Sequence, residues 1–345
     1  MSLHTSSRRT AAAAVMALFL VAFPGASGWF ARGADAGGEE DERIPVIFAS
    51  YAADAEQLGH TLILAESIRE FAGGKRKAPV WVFAPKEVVE NASTPRAKAD
   101  ALKVDLIAIE ASENASDFPF AGKVYAAAAA EERARGRAGV LAWLDEDTIV
   151  LKEPAEFDLA PAASFGYRPV MHQRIGSLFD EPVDAFWGRV YELLSVPEKA
   201  VFPVTTPADG KKIRAYFNAG VLVVRPERGL LRKWAEGFAI LRGDAAIARM
   251  CGEDGFKRVF LHQAALAGAV LAAIGKEETI EFSERINYPL FFNEKFESDR
   301  EFYSIEDAVT IRYDVYFQNP RPGWSARIKG PAEQIAWLKT RFGDV

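Results

Sequence analysis

Apolar and polar residues follow one another along the chain in blocks that predict strands and helices in turn. Residues 44–51, 79–84 and 104–109 are apolar runs of strand length. Between them, apolar residues recur at helical spacing from a cap at Asp54 to Gly73, and residues 94–95 begin a second helix by the cap-then-proline rule. This order indicates a largely parallel sheet with helices on both faces, where ligands bind at the carboxyl ends of the strands.

The rest of the chain continues this α/β pattern without an internal repeat or a long low-complexity linker. Predicted helices cover residues 123–135, 186–194, 226–241, 256–274 and a last one that Pro331 begins; predicted extended segments cover residues 140–150, 216–226, 286–292 and 309–314. One domain with a mixed, mostly parallel sheet flanked by helices is therefore the simplest architecture.

The first 36 residues have the sequence features of a secretory signal. Arg8 and Arg9 precede an apolar run, and Ala34-Asp35-Ala36 fits the small-x-small rule for cleavage. An uncleaved membrane anchor is the alternative, because residues 10–31 carry no charge. The predicted organisation is a signal peptide or signal anchor at 1–36, an acidic linker at 37–43 and a folded domain at 44–345. Such a domain would be exported to the periplasm or medium, or anchored in a Golgi-type membrane.

Composition narrows the classes of partner. The chain has 345 residues, enough for a substantial core, and a net charge of −6 without a basic stripe, so nucleic acid is not an expected partner. Its single cysteine, Cys251, cannot form an internal disulfide. No group of histidines and cysteines has zinc spacing.

Two aspartates, Asp145 and Asp147, follow the apolar run of residues 140–144, and the run resumes at Thr148. Carboxylates at i and i+2 can face the same way on extended backbone, and Mg²⁺ is typically held by one or two carboxylates together with phosphate oxygens. The stretch therefore predicts a metal and diphosphate site at the ligand edge of the sheet. The alternative is a solvated turn between two strands.

Polar residues also interrupt two later apolar elements. Asn218 and Gly220 lie within a strand, which indicates the close approach of a ligand or of other backbone at Gly220, or else a local bulge. His262 and Gln263 lie within an almost apolar helix, so they must be hydrogen-bonded or face a site.

A third set of polar residues, Arg168, His172 and Gln173, suits the recognition of hydroxyls or phosphates. The alternative for each is a loop side chain that bonds to nearby backbone.

The order of these motifs resembles nucleotide-sugar glycosyltransferases of the GT-A fold, most closely the glycogenin and lipopolysaccharide galactosyltransferase family (family 8). The likeness rests on residues 143–150, 216–221 and 262–263, and it extends from residue 44 to about residue 324. It implies a Rossmann-like GT-A domain that uses Mn²⁺ or Mg²⁺ to move a sugar from a nucleotide-diphospho-sugar to a sugar, glycan or protein acceptor, with retention of anomeric configuration.

The resemblance also implies roles for individual residues. Asp145 and Asp147 would bind the metal ion and Asp314 would be a further oxygen ligand, while Asn218 and Gln263 would line the sugar pocket as catalytic residues. The donor would be contacted by Ala49, Ser50, Tyr51, Lys123, Ala219 and Gly220.

Two positions depart from the family pattern. His262 stands where the family has the aspartate of an Asp-Gln pair. The histidine that completes the family's metal site near the C-terminus is missing, and the matching region reads Arg312-Tyr313-Asp314. Either Asp314 replaces that histidine as a ligand, or the metal ion is held more weakly.

Two other functions are compatible with the sequence. A phosphohydrolase of the haloacid dehalogenase type also has Asp-x-Asp after an apolar strand, with Asp145 as the nucleophile, although that motif usually follows the first strand of the chain. An exported, non-catalytic protein that binds sugars or nucleotides on the same scaffold would fit the N-terminal signal, because bacterial nucleotide sugars are cytoplasmic.

Overall fold

The computed structural model describes residues 43–110, 118–290, 304–317 and 323–343. These residues belong to one compact unit, Glu42–Val345. The signal segment at 1–36 and all but the last residue of the linker lie outside the described residues, so both stay predictions. Within the described ranges, no helix is long and apolar enough to cross a membrane.

Seven strands form the central sheet. They are β1 Ile44–Tyr51, β2 Val80–Pro85, β3 Val104–Ile109, β4 Ala138–Leu144, β6 Phe165–Pro169, β9 Phe217–Val224 and β10 Thr279–Glu281. Their order across the sheet is β10-β6-β9-β4-β1-β2-β3. Strands β4, β1, β2 and β3 are parallel to one another, β10 is parallel to β6, and β9 runs antiparallel between β4 and β6. The predicted fold class, α/β with a mixed and mostly parallel sheet, is confirmed.

Two small sheets lie beside the central one. The first contains β5 Thr148–Val150, β11 Tyr288–Pro289 and β12 Thr310–Arg312; the second pairs β7 Pro203–Thr205 with β8 Lys212–Arg214. Strand β12 runs antiparallel to β5, and Arg312 is the partner of Thr148. This pairing brings the C-terminal region next to the residues that follow β4.

The helices match most of the predicted ones. They are α1 Ala55–Phe71, α2 Lys86–Glu90, α3 Ser93–Leu102, α4 Ala121–Ala134, α5 Ala185–Leu193, α6 Leu230–Gly243, α7 Ala245–Glu253, α8 Gly255–Ala273 and α9 Ala332–Phe342. The helix predicted from Pro226 begins only at Leu230, because Gly229 adopts a left-handed φ of 62° after a single 3₁₀ turn. Helices α2 and α7 and strand β6 were not expected from the sequence.

The core lies on both faces of the central sheet. Along β4, Leu141 and Trp143 point to one face, whereas Val140, Ala142 and Leu144 point to the other. Helices α4, α6 and α8 cover the first face and helices α1 and α3 cover the second. Because both faces are buried, the strand reads as a continuous apolar run rather than as an alternating one.

Glu131 is a buried carboxyl group in α4, and we expect it to make stability pH-dependent. Its Oε2 accepts a hydrogen bond from the backbone N of Arg232, at 2.9 Å. Burial raises the pKa of Glu131 from 4.5 to about 7, against the opposing effect of the backbone N–H donors and the charge of Arg232. Since the folded pKa lies above the unfolded one, this contribution to stability is complete below pH 4.5 and is lost as the pH rises through 7.

The variant Glu131→Gln keeps the neutral form at every pH. Its stability relative to the natural protein should increase by about 2 kcal/mol between pH 5 and pH 8, as measured by urea unfolding at both values. The exposed neighbour Glu132 provides the control, because Glu132→Gln should leave the pH dependence unchanged. A Glu131→Gln variant with the natural pH dependence would show that the buried carboxyl group titrates normally.

Candidate active site

The two aspartates lie on a tight turn that joins β4 to β5. The backbone N of Asp145 donates to the carbonyl of Gly220 on β9, at 2.8 Å, and the N of Thr148 donates to the carbonyl of Asp145, at 3.1 Å. The side chains of Asp145 and Asp147 are only 12% and 13% exposed. A solvated turn would leave both carboxylates in water, so the structure favours the interpretation as a site.

Lys123 pairs with the first aspartate. It lies in the first turn of α4, is buried, and places its Nζ 2.5 Å from Oδ1 of Asp145. Burial raises the pKa of Asp145, and the charge of Lys123 opposes that rise. A buried lysine and a buried aspartate are each costly alone, so the contact offsets part of the cost of burying the two groups at this edge of the sheet.

Arg312 pairs with the second aspartate. Its Nε donates to Oδ2 of Asp147 at 2.9 Å, and the backbone N of Asp314 donates to the same oxygen at 3.1 Å. The backbone N of Tyr313 donates to the carbonyl of Asp147 at 3.0 Å. Burial lowers the pKa of Arg312, but the charges of Asp147 and Asp145 outweigh it and raise the pKa above its ordinary value.

Glu146 lies between the two aspartates. Burial and then the charges of Asp145 and Asp147 raise the pKa of Glu146 to about 7. This carboxyl group is therefore partly protonated at neutral pH, which reduces the negative charge of the turn.

Asn218 and Gly220 shape the wall opposite the aspartates. The Oδ1 of Asn218 accepts hydrogen bonds from the N of Gly220, at 2.7 Å, and from Nδ2 of Asn287, at 3.0 Å. A Cβ on Gly220 would lie 2.9 Å from Asn218 Oδ1 and 3.1 Å from Asp145 Oδ2. The glycine is thus required by the close approach of polar side chains, where the sequence indicated a ligand or other backbone, and Asn218 is part of that arrangement.

The two residues of the His-Gln pair of α8 have different surroundings: Gln263 lines the cleft, whereas His262 packs in the core. Gln263 is buried, and its Oε1 accepts a hydrogen bond from the N of Ala219, at 3.1 Å. The Nδ1 of His262 lies 2.9 Å from the carbonyl oxygen of Val259, and its ring packs between Phe120 and Trp234. Burial and then the charge of Lys123 hold the pKa of His262 well below its ordinary value, so the imidazole is neutral.

A cleft of about 290 Å³ opens at this edge of the sheet. Its lining includes Tyr216, Asn218, Phe260, Gln263, Arg312 and Asp314. Small-molecule sites typically have volumes of about 300–1,000 Å³ and combine apolar walls with a few convergent polar groups. The cleft has this composition, with two guanidinium groups, one imidazole, one carboxylate and two amides.

The family model of the Rhodobacterales glycosyltransferase domain matches residues 51–274, which is more than half of the chain. The chain belongs to this family. The matched range includes five of the site residues described above: Lys123, Asp145, Asp147, Asn218 and Gln263. The recognition of a glycosyltransferase from the sequence is confirmed, whereas Arg312 and Asp314 lie beyond the matched range. No curated protein matches the chain.

Several solved structures that resemble this glycosyltransferase are themselves glycosyltransferases. The galactosyltransferase LgtC, crystallised with donor and acceptor sugar analogs, is 18% identical over 88% of this chain and 97% of its own, with a TM-score of 0.45. Mouse xyloside xylosyltransferase 1 is 13% identical over 79% of this chain and 98% of its own, with a TM-score of 0.44. GlyE of Streptococcus pneumoniae TIGR4 is 13% identical over 87% of this chain and 60% of its own, with a TM-score of 0.45. These likenesses are weak, and membership rests on the family model.

The other predicted donor residues of the glycosyltransferase lie on the neighbouring strand. Ala49, Ser50 and Tyr51 end β1, where Ala49 is the register partner of Trp143 on β4. The Oγ of Ser50 is buried without a hydrogen-bond partner among the described residues. None of the three is among the described residues that line the cleft. Their contact with the donor stays a prediction.

Two residues of the third polar set bond to nearby backbone. Arg168 lies in β6 and its Nη1 donates to the carbonyl of Phe282, at 2.5 Å. The Nε2 of Gln173 donates to the carbonyl of Gly176, at 3.2 Å. His172, in contrast, lines the cleft. The backbone-bonding alternative therefore describes Arg168 and Gln173, and His172 lies where a ligand can reach it.

The three carboxylates predicted as metal ligands do not form one site. In the described part of the chain, no group of three or more His, Cys, Asp or Glu side chains is placed to hold a metal ion. Asp145 is bound by Lys123 and Asp147 by Arg312, while the carboxylate of Asp314 lies 3.7 Å from Nη2 of Arg312. A divalent cation bound to the contacted oxygens of Asp145 and Asp147 would therefore have to displace the ammonium of Lys123 and the guanidinium of Arg312. The Mn²⁺ or Mg²⁺ expected from the resemblance stays a prediction.

The sequence interpretation missed Asn287. It adopts a left-handed φ of 57°, and its backbone N donates to Oγ1 of Thr310 at 2.7 Å, which aims the side-chain amide at Asn218. An asparagine between the buried apolar residues Ile286 and Tyr288 was the available signal, because asparagine tolerates this backbone conformation better than most residues.

Proposed function

We propose that this glycosyltransferase moves a sugar from a nucleotide-diphospho-sugar to a hydroxyl-bearing acceptor in the cleft beside Asn218 and Gln263. The observation that supports this most is the convergence of Lys123 and Arg312 on the aspartate turn at the ligand edge of the sheet. The lysine and arginine suit a diphosphate, whereas the amides and carboxylates suit sugar hydroxyls. Arg312, Asn218 and Gln263 line one cleft, which therefore offers complementary groups to both halves of such a donor.

The transfer would break the bond between the anomeric carbon and the diphosphate oxygen. The electron pair leaves with the nucleoside diphosphate, a new bond forms between the anomeric carbon and the acceptor oxygen, and the proton of the acceptor hydroxyl passes to an oxygen of the departing diphosphate. Positive groups fixed beside the departing diphosphate stabilise the charge that develops on it, and they do so without reorganisation during the reaction. Lys123 and Arg312 are such groups, each held by a carboxylate.

The test is release of nucleoside diphosphate from UDP-glucose, UDP-galactose, UDP-N-acetylglucosamine and GDP-mannose, each assayed with EDTA and with Mn²⁺. We expect turnover of at least one donor and a loss of about tenfold or more in Asp145→Ala, because Lys123 then loses the contact that positions it. Asp180→Ala is the control, since this aspartate is exposed and pairs only with exposed Lys212 in the contacts described. No release from any donor under either condition would contradict the proposed function.

We also propose that the reaction retains the anomeric configuration, as the resemblance implies. The same assay followed by proton NMR measures the anomer of the sugar that is first released. An α-linked donor should give the α-anomer first. Initial release of the β-anomer would overturn retention without affecting the assignment of a glycosyltransferase.

A further inference from the structure

We propose that Lys123 and Arg312 act as built-in counterions to the donor diphosphate, so that this glycosyltransferase binds a nucleoside diphosphate without a divalent metal ion. The inference rests on the proposed function, and it concerns how the same site neutralises its ligand. It departs from the resemblance, which implies Mn²⁺ or Mg²⁺.

The first argument is charge. Two carboxylates beside a diphosphate would repel it unless positive charge lies between them. Here that charge comes from the chain itself, because Asp145 and Asp147 each contact a different basic residue. The two contacts come from separate elements, α4 and β12, on either side of the turn. A divalent ion placed on the same oxygens would have to displace both basic groups.

The second argument is that the backbone holds Arg312 in position. Strand β12 pairs with β5, and the backbone N–H groups of Tyr313 and Asp314 both donate to Asp147. Three hydrogen bonds thus connect residues 312–314 to one aspartate. The strand pairing and these bonds therefore fix the position of the guanidinium beside the turn.

The third argument is the geometry of a guanidinium. It carries five N–H donors in a planar fork, so one edge can bind a carboxylate while another binds a phosphate. Arg312 lines the cleft together with Asn218 and Gln263. An arginine at this position can thus contact the diphosphate directly.

One buried acceptor atom of the aspartate turn has no partner within the described part of the chain. The Oδ1 of Asp147 is buried and has no hydrogen-bond partner among the described residues. A hydroxyl group of the donor satisfies a single acceptor of this kind as well as a cation does. Direct titration with Mn²⁺ distinguishes the two.

The experiment is calorimetric titration of the full chain with UDP, GDP and ADP, each in EDTA and in Mn²⁺. We expect at least one nucleoside diphosphate to bind with the same affinity in both. Arg312→Gln should weaken that binding by about tenfold or more, whereas Arg312→Lys, which keeps the charge, should lose less. Arg249→Gln, at an exposed arginine of α7, is the control and should bind as the natural protein does.

A second measurement asks for the metal ion itself. Electron paramagnetic resonance of Mn²⁺ should show no bound ion with the natural protein, and Arg312→His, which removes the guanidinium and supplies an imidazole, should gain a bound ion. Binding of a nucleoside diphosphate only when Mn²⁺ is present would overturn the inference and leave the proposed function intact. Absence of binding in both conditions would overturn the two together.

Discussion

Replacing Gly220 by alanine should lower turnover of the glycosyltransferase by about a hundredfold. The added methyl group would lie 2.9 Å from Asn218 Oδ1, 3.1 Å from Asp145 Oδ2 and 3.5 Å from Asn287 Oδ1. The two nearer side chains are held in place, because Asn218 accepts two hydrogen bonds and Asp145 is in contact with Lys123. The methyl group must therefore push the aspartate turn and the Asn218 wall apart, and misplacement of about 1 Å is enough for a loss of this size.

The matched control for this change is Gly252→Ala. Gly252 lies in α7, where a Cβ would meet no atom within 4 Å, so the variant should keep full turnover and gain slightly in helix stability. Turnover is read from the release of nucleoside diphosphate, and urea unfolding of both variants establishes that they are folded. A folded Gly220→Ala protein with natural turnover would mean that neither Asn218 nor Asp145 contributes to the reaction through its position.

Strands β1, β2 and β4 of the central sheet were predictable because most of their residues are buried on both faces. Residues 44–51 and 104–109 are apolar runs whose length and flanking turn signals gave their exact bounds as β1 and β3. Strand β6 was missed because it contains Gly166 and Arg168, a composition unlike a buried strand. The glycine is explained by tertiary packing, since a Cβ there would overlap the ring of Phe282. That contact is not visible from the sequence.

Helix α7 shows a local signal that the sequence interpretation did not use. Asp244 caps the helix by accepting from the N–H groups of Ala246 and Ile247, and Asp254 caps α8 in the same way. Two aspartates ten residues apart, each before an apolar segment, are the expected sequence pattern of two consecutive helix starts. The sequence therefore contains the information needed to predict the start of α7.

The candidate site was predictable as far as the motifs were local. Asp145, Asn218 and Gln263 were found because each is a polar residue within an apolar element, and such residues need a buried partner or a ligand. The pairing of Asp147 with Arg312 joins residues 165 positions apart, and it depends on how β12 docks against β5. Strand pairing over that separation is a property of the whole fold, so the arginine could be noted in the sequence but not placed.

Replacing Trp234 by alanine should destabilise the protein by about 4 kcal/mol. Trp234 lies in α6 and is fully buried against α8, where its Nε1 donates to the carbonyl of His262 at 2.6 Å. The truncation removes one of the largest side chains of this face and leaves a cavity next to Gln263, whose bond to Ala219 positions the Asn-Ala-Gly wall. Turnover should therefore fall together with stability.

Trp234→Phe separates packing from hydrogen bonding, because it keeps an aromatic ring and removes only the indole N–H. We expect this variant to lose about 1–2 kcal/mol, the effect of a smaller ring and one unpaired carbonyl, and to keep most of its turnover. The free energies of unfolding of both variants are measured by urea denaturation, with one denaturant slope fitted to all the curves. Equal losses of unfolding free energy in the two variants would mean that the hydrogen bond to His262 makes the whole contribution. A loss below about 1 kcal/mol in Trp234→Ala would mean that other contacts hold α6 and α8 together.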